Sequence, residues 1–254
     1  VEESTMKRSP KAPFITSTLQ QAASSRLGFA PSRTMQIAQR LYEAGHITYM
    51  RTDSTNLSQV ALAEIAKAVE KNYGKEFLQF RTYAKKSKNA QEAHEAIRPS
   101  HIGDEKAGIN DEQKKLYRLI WERTVASQMT DAELLRTKIV ANIKGTTEVI
   151  PDFHAHGSRV ISHGWLKADP EARGEDVELP KLSQGETLDL KEIKSEEKAT
   201  QPPGRYSEAG LIKELEKRGI GRPSTYASII RTIEERGYVE KENKALKPTD
   251  TGDV

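Results

Sequence analysis

Cysteine is absent from all 254 residues. That excludes disulfides and thiolate metal sites, and it is compatible with a reducing cytoplasm. No apolar run approaches the roughly 18 residues that a spanning helix needs, so no membrane partner is expected. Aromatic residues make up only 6% of the chain. The sequence opens Val1-Glu2-Glu3, with no initiator Met and no signal-peptide pattern, and reads as a piece of a longer protein. With 30% charged and 35% hydrophobic residues, it has the composition of a soluble chain holding one large domain or two to three small ones. Net charge is +3, which informs only once it is located. Acids are missing from Ser4 to Tyr42, a stretch that carries Lys7, Arg8, Lys11, Arg26, Arg33 and Arg40, whereas acids dominate from Asp169 to Glu197. A basic surface in the N-terminal third suits phosphate backbones; the alternative is the solvated face of a helical domain.

Residues 1–13 are polar, contain Pro10 and Pro13, and read as a connector. Leu19, Ala22, Ala23 and Leu27 recur at helical spacing and predict a helix from Thr16 to about Arg26. A turn at Gly28–Pro31 leads to Ser32, the expected N-cap of a second helix running to Gly45. The same order returns 192 positions later. Leu19, Arg26, Pro31, Ser32, Ile37, Glu43 and Gly45 match Leu211, Arg218, Pro223, Ser224, Ile229, Glu235 and Gly237. Two copies of a helix–turn–helix–strand unit are inferred. Helices are also expected over about Leu57–Tyr73, with Ser58 as cap, and from Asn110 or Asp111 to about Gln128. Between them lies a basic loop, Tyr83–Ala90. Strands are expected at Thr137–Ile143, Thr147–Ile150, Ser158–Ser162 and Glu186–Ile193, with a long loop over Asp169–Gly185.

The stretch richest in chemistry is Ile47-Thr48-Tyr49-Met50-Arg51-Thr52-Asp53-Ser54-Thr55. Read as a short strand, it puts Tyr49, Arg51 and Asp53 on one face. A phenol beside a guanidinium can attack a phosphodiester, the cation forking onto the phosphate oxygens. Ile47 shares the same parity, so Tyr49 could equally be a core residue. A phenol ordinarily titrates near 10 and is a weak nucleophile at neutral pH, so it needs such a neighbour. In the second copy Lys241 stands where Tyr49 stands in the first.

This motif resembles the active-site motif of the type IA DNA topoisomerases, in the wording of their bacterial topoisomerase I branch. Ala93-His94-Glu95-Ala96-Ile97-Arg98-Pro99-Ser100, Arg205-Tyr206-Ser207-Glu208-Ala209 and Gly219-Ile220-Gly221-Arg222-Pro223-Ser224-Thr225-Tyr226-Ala227 match further family motifs in the family's order. The resemblance implies an α+β multidomain fold, with two mainly helical, winged-helix-like domains (14–134, and 201–254, incomplete) flanking a strand-rich arch domain (135–200) that begins in residues 1–13. It implies that Tyr49 forms a transient 5′-phosphotyrosine link to one DNA strand, that another strand passes, and that the break is resealed without ATP. Arg51 and His94 are the other catalytic residues implied. Arg98, Arg222, Ser224, Thr225 and Arg236 are candidates for binding DNA, each with a bland alternative in ion pairing, capping or dipole complementation.

One departure from the family is large. The family's Toprim domain binds Mg²⁺ through a Glu and a D-x-D cluster, and this chain has no D-x-D. No metal site or cofactor is therefore expected within it, and the chain alone is not expected to relax DNA. The implied partners are single-stranded or underwound DNA and the parent protein's own Toprim domain; a monomer acting in the cytoplasm on the nucleoid is expected. A non-catalytic double winged-helix DNA-binding module and the topoisomerase part of a reverse gyrase are the competing readings.

Overall fold

The computed structural model describes residues 1–83, 94–145 and 150–253. The expected basic loop beyond Tyr83, and the Thr147–Val149 part of an expected strand, lie outside them. The fold is mixed α and β. It divides into two units, one made of residues 1–10 and 130–203, the other of 11–129 and 204–254.

The first unit is built on an antiparallel sheet of order β1 (Glu2–Arg8), β2 (Ala132–Ala141), β3 (Phe153–Ser162). Its register pairs Met6 with Leu134 and Arg8 with Ala132. β1 falls within the residues that read as a connector. Its sequence, Glu-Glu-Ser-Thr-Met-Lys-Arg, lacks the apolar alternation of a strand, and it forms because β2 offers it a ladder. Trp165 closes the sheet's end. Its indole Nε1 donates to the Arg8 carbonyl at 2.8 Å, and the Arg8 guanidinium lies 5.3 Å from its ring centre. Gly164 (φ +47°) lets the chain pass tightly against the backbone just before β2, since a Cβ there would sit 2.1 Å from the Asp131 carbonyl oxygen. The expected strand Glu186–Ile193 does not form, and Leu188, Leu190 and Ile193 stay exposed. Its alternation is real, but no neighbouring strand pairs with it. The expected long loop is partly organised: Val177 exchanges two backbone bonds of 2.9 Å with Ser158.

The second unit holds two helical hairpins, α1 (Thr16–Leu27) with α2 (Pro31–Glu43), and α5 (Glu208–Lys217) with α6 (Tyr226–Glu235). α1 packs on α5 and α2 on α6, while α4 (Asp111–Ala126) packs on α1, α2 and α3 (Gln59–Asn72). Leu19, Leu41, Ile65, Leu116, Ile120 and Trp121 form the buried interior, and Trp121 donates to the Ile102 carbonyl at 2.8 Å. Ser58 and Asn110 cap α3 and α4, accepting from Ala61 N and Gln113 N. Ser32 does not cap α2. Ala30 is the N-cap, and Pro31 takes the first helical position, where its fixed φ and missing N–H cost nothing.

The two hairpins end identically. Ala44 N, Gly45 N and His46 N donate to the carbonyls of Arg40, Tyr42 and Leu41; Arg236 N, Gly237 N and Tyr238 N donate to those of Thr232, Glu234 and Ile233. Each partner is 192 positions on. Gly45 and Gly237 both adopt left-handed conformations (φ +77° and +68°). The copies then diverge. After α6 the chain forms a hairpin, β4 (Val239–Glu242) and β5 (Ala245–Pro248), through Asn243 and Lys244, both at positive φ. After α2 it forms no strand.

Candidate functional site

The segment expected as a strand is irregular. It makes one isolated bridge, Ile47 to Pro99, supported by Thr48 N to the Arg98 carbonyl and Ser100 N to the His46 carbonyl, both 2.9 Å. Alternation survives on one anchor, Thr16, the fully buried first residue of α1. Its hydroxyl donates to the Met50 carbonyl at 2.7 Å and accepts from Thr52 N at 2.9 Å, and its own N–H donates to the Thr52 carbonyl at 3.0 Å. Met50 and Thr52 are buried at 1% and 3% exposure, so Tyr49, Arg51 and Asp53 are turned outward. Tyr49 is 40% exposed. It is not a core residue, because the bend after Ile47 breaks the parity the two share. Among the described residues Arg51 has no hydrogen-bond or ion-pair partner.

The second motif lies against the first. Besides the bonds at Thr48 and Ser100, Ala96 N donates to the Asn56 carbonyl, and Ile97 N to the Phe14 carbonyl, both at 2.8 Å. His94, half-buried, therefore begins a segment stitched to the Tyr49 segment along its length. Arg98 points inward. It donates to Glu95 Oε2 at 2.6 Å and to the Pro99 carbonyl at 2.9 Å, with its side chain only 12% exposed. That is the internal-pair alternative to the DNA contact expected of it. Glu95 also accepts from Ser58 N at 2.6 Å, tying this motif to the start of α3. Burial alone would raise the Glu95 pKa, but hydrogen bonds from Arg98 and Ser58, with the Arg98 charge, hold it below the ordinary carboxylate value.

The fourth motif opens α6 on the same unit. Arg222, Ser224 and Thr225 are exposed. Arg222 folds onto the Gly221 carbonyl at 2.7 Å, and Thr225 Oγ1 accepts from Arg222 N at 2.8 Å. Thr225, not Ser224, is the N-cap, and among the described residues the Ser224 hydroxyl has no partner. Burial raises the Tyr226 phenol, with Glu216 and Asp53 adding to the rise and Arg222 opposing it, so the Asp53 charge is felt at the start of α6. Arg236 is the exposed C-cap of α6. The third motif supplies Ser207, which caps α5, and Glu208, which pairs with Lys241 at 2.6 Å.

Two expectations need correction, and two supports went wholly or partly unforeseen. The acid-free stretch is not acid-free in space: Arg33 pairs with Glu112 and Arg26 with Glu122, both on α4, so the N-terminal third is less basic than its sequence. No strand carries the Tyr49 motif, because Thr16 takes the bonds that a ladder would make. Thr16 was not foreseen as a support for the site, and Glu95 was foreseen only as an ion-pair partner for Arg98, not as the link to Ser58 at the start of α3. The signal for Thr16 was a threonine at a helix start, which is not distinctive alone. Among the described residues no three of His, Cys, Asp or Glu gather as a metal site would require. His154 and His156 only stack, with ring centres 6.5 Å apart on β3.

Fold and site together define a mixed α and β protein that holds an exposed tyrosine and an exposed arginine on a helical frame. The chain belongs to the DNA topoisomerase family, whose family model matches residues 1–254. It is 52% identical to DNA topoisomerase 1 of Streptomyces coelicolor over 98% of this chain and 28% of that protein. Identity to DNA topoisomerase 1 of Pseudomonas aeruginosa is 49%, over 96% of this chain and 28% of that one. The structure of full-length topoisomerase I from Thermotoga maritima superposes with a TM-score of 0.86 at 39% identity, covering 99% of this chain and 42% of that one. The chain thus spans less than a third of the curated relatives it matches. Among the described residues no helix is long and apolar enough to cross a membrane.

Proposed function

We propose that this chain is the nucleophile-bearing part of a type IA DNA topoisomerase. The observation that carries the reading is the Thr16 clamp, which buries Met50 and Thr52 and thereby presents Tyr49 and Arg51 to solvent on one side. Tyr49 Oη attacks the phosphorus of one DNA strand. The bond from phosphorus to the 3′ oxygen breaks, the 3′ hydroxyl leaves with a proton, and the 5′ phosphate stays on Tyr49. Strand passage follows, and the 3′ hydroxyl reverses the step. The link conserves the phosphodiester, so no ATP is consumed. Arg51 holds the non-bridging oxygens, and losing such a donor costs about 10²–10³ in rate. His94 adds a hydrogen bond to the same phosphate.

Arg222, Ser224 and Thr225 at the start of α6, with Arg236 at its end, bind the strand's backbone. The β4–β5 hairpin after α6 supports a winged-helix reading of the second copy. The strand unit supports an arch. Mg²⁺ in the parent enzyme belongs to its Toprim domain; among the described residues no cluster of His, Asp and Glu forms a site for it. Underwound or single-stranded DNA of the nucleoid is the substrate, and the enzyme works as a monomer.

A trapping experiment tests this. The parent protein is mixed with Mg²⁺ and a single-stranded oligonucleotide labelled at its 3′ end, then denatured. Label should migrate with wild type and not with Tyr49→Phe. Label retained by Tyr49→Phe, or missing from wild type that binds the oligonucleotide, would refute the assignment.

A further inference from the structure

Tyr42, in the last turn of α2, is as exposed as Tyr49, at 40% each. The two rings meet edge to face, with centroids 5.2 Å apart and planes at 65°. Hydrogen bonds at Thr48 and Met50 fix the backbone around Tyr49. Its side chain has no such restraint: among the described residues, neither hydroxyl is hydrogen-bonded. An exposed ring with a fixed backbone still has several χ1 wells open to it. An edge-to-face pair favours one of them by more than its buried area alone would.

The second copy carries different chemistry at the matching positions. The positions matching Tyr42 and Tyr49 are Glu234 and Lys241. Burial and Glu208 push the Glu234 carboxyl up, and the Lys241 charge opposes them, so these two residues also sense each other. Lys241 pairs instead with Glu208 at 2.6 Å, so the edge-to-face pair of rings is particular to the first copy.

We propose that Tyr42 is a positioning residue: its ring selects the Tyr49 rotamer that aims the phenol oxygen at the scissile phosphate. The inference rests on the reading of Tyr49 as nucleophile. Tyr42 itself touches neither the reacting oxygen nor the phosphorus.

The test uses the parent protein and two readouts. In single-turnover cleavage of a bound oligonucleotide, Tyr42→Ala should slow the cleavage step roughly three- to tenfold, the value of one aromatic pair. Its dissociation constant should stay that of wild type. Tyr42→Phe keeps the ring and should cleave at the wild-type rate. With 3-fluorotyrosine at position 49, the fluorine resonance should move in Tyr42→Ala and hold in Tyr42→Phe. Unchanged cleavage in Tyr42→Ala would overturn the inference. So would an equal loss in Tyr42→Phe, which would assign the effect to the hydroxyl, or a loss confined to binding, which would make Tyr42 a DNA contact. If Tyr49→Phe still forms the covalent product, the nucleophile reading fails and the inference falls with it. The Tyr49→Phe control keeps that failure distinct from the others.

Discussion

Thr16 directs one hydroxyl to the Met50 carbonyl and accepts the Thr52 amide on the same oxygen, so a single buried atom sets which side chains of the motif face out. Thr16→Val keeps the shape and removes both bonds. It should lower stability by about 1–3 kcal/mol, the cost of leaving buried partners unpaired, and slow covalent trapping with it. Denaturant unfolding and the trapping assay check the two effects. Glu95 is the second support. Its pKa is lower in the folded protein than the ordinary 4.5, so its ionised form favours the fold. That contribution is complete above the ordinary value and is lost as pH falls through the lowered one. Melting temperature should therefore drop over this acid range in wild type, and less steeply in Glu95→Gln. A matching slope in the two proteins would count against the Glu95 network. At this scale the sequence was legible where alternation was local, at Tyr49, Arg51 and Asp53. It was opaque where the partner lay far along the chain, as Thr16 does from Met50.

The hairpin repeat was readable because helix ends depend on a few residues with strong preferences. Gly45 and Gly237 occupy left-handed positions that other residues enter at a cost of roughly 1–2 kcal/mol. Gly45→Ala and Gly237→Ala should each destabilise by about 1 kcal/mol, and the double variant by their sum, since the two caps share no hydrogen-bond partner. Chemical denaturation of the three variants measures this; a shortfall in the double variant would show that the caps are coupled. The repeat led to a strand after α6, but its β5 partner escaped notice because the turn between them is Asn243-Lys244, and Lys gives no turn signal. The false strand at Glu186–Ile193 is the converse case, a correct pattern with nothing to pair with. Ser32 misled for a similar reason: a good capping residue stood one position too late, behind a proline that had already started the helix.

At the scale of the whole molecule, the backbone passes between the two units after residues 10, 129 and 203. The chain carries Tyr49, the proposed nucleophile, and no D-x-D cluster. Purified by itself and given Mg²⁺, it should leave negatively supercoiled plasmid unrelaxed while the parent protein relaxes it. Relaxation by the chain alone, read on an agarose gel, would defeat that expectation. The pairing of β1 with β2 has a consequence for biosynthesis. Arg8 is made long before its ladder partner Ala132. At ribosomal speeds of ~5–20 residues per second, the early strand waits roughly 6–25 s for the later one. Throughout that interval it is an open edge that could recruit a strand from a neighbouring nascent chain. Glu2, Glu3, Lys7 and Arg8 crowd charge onto that edge, and charge is what keeps an unpaired strand from finding the wrong partner. The same polar composition that hides β1 from sequence inspection therefore guards it while the rest of its sheet is being translated.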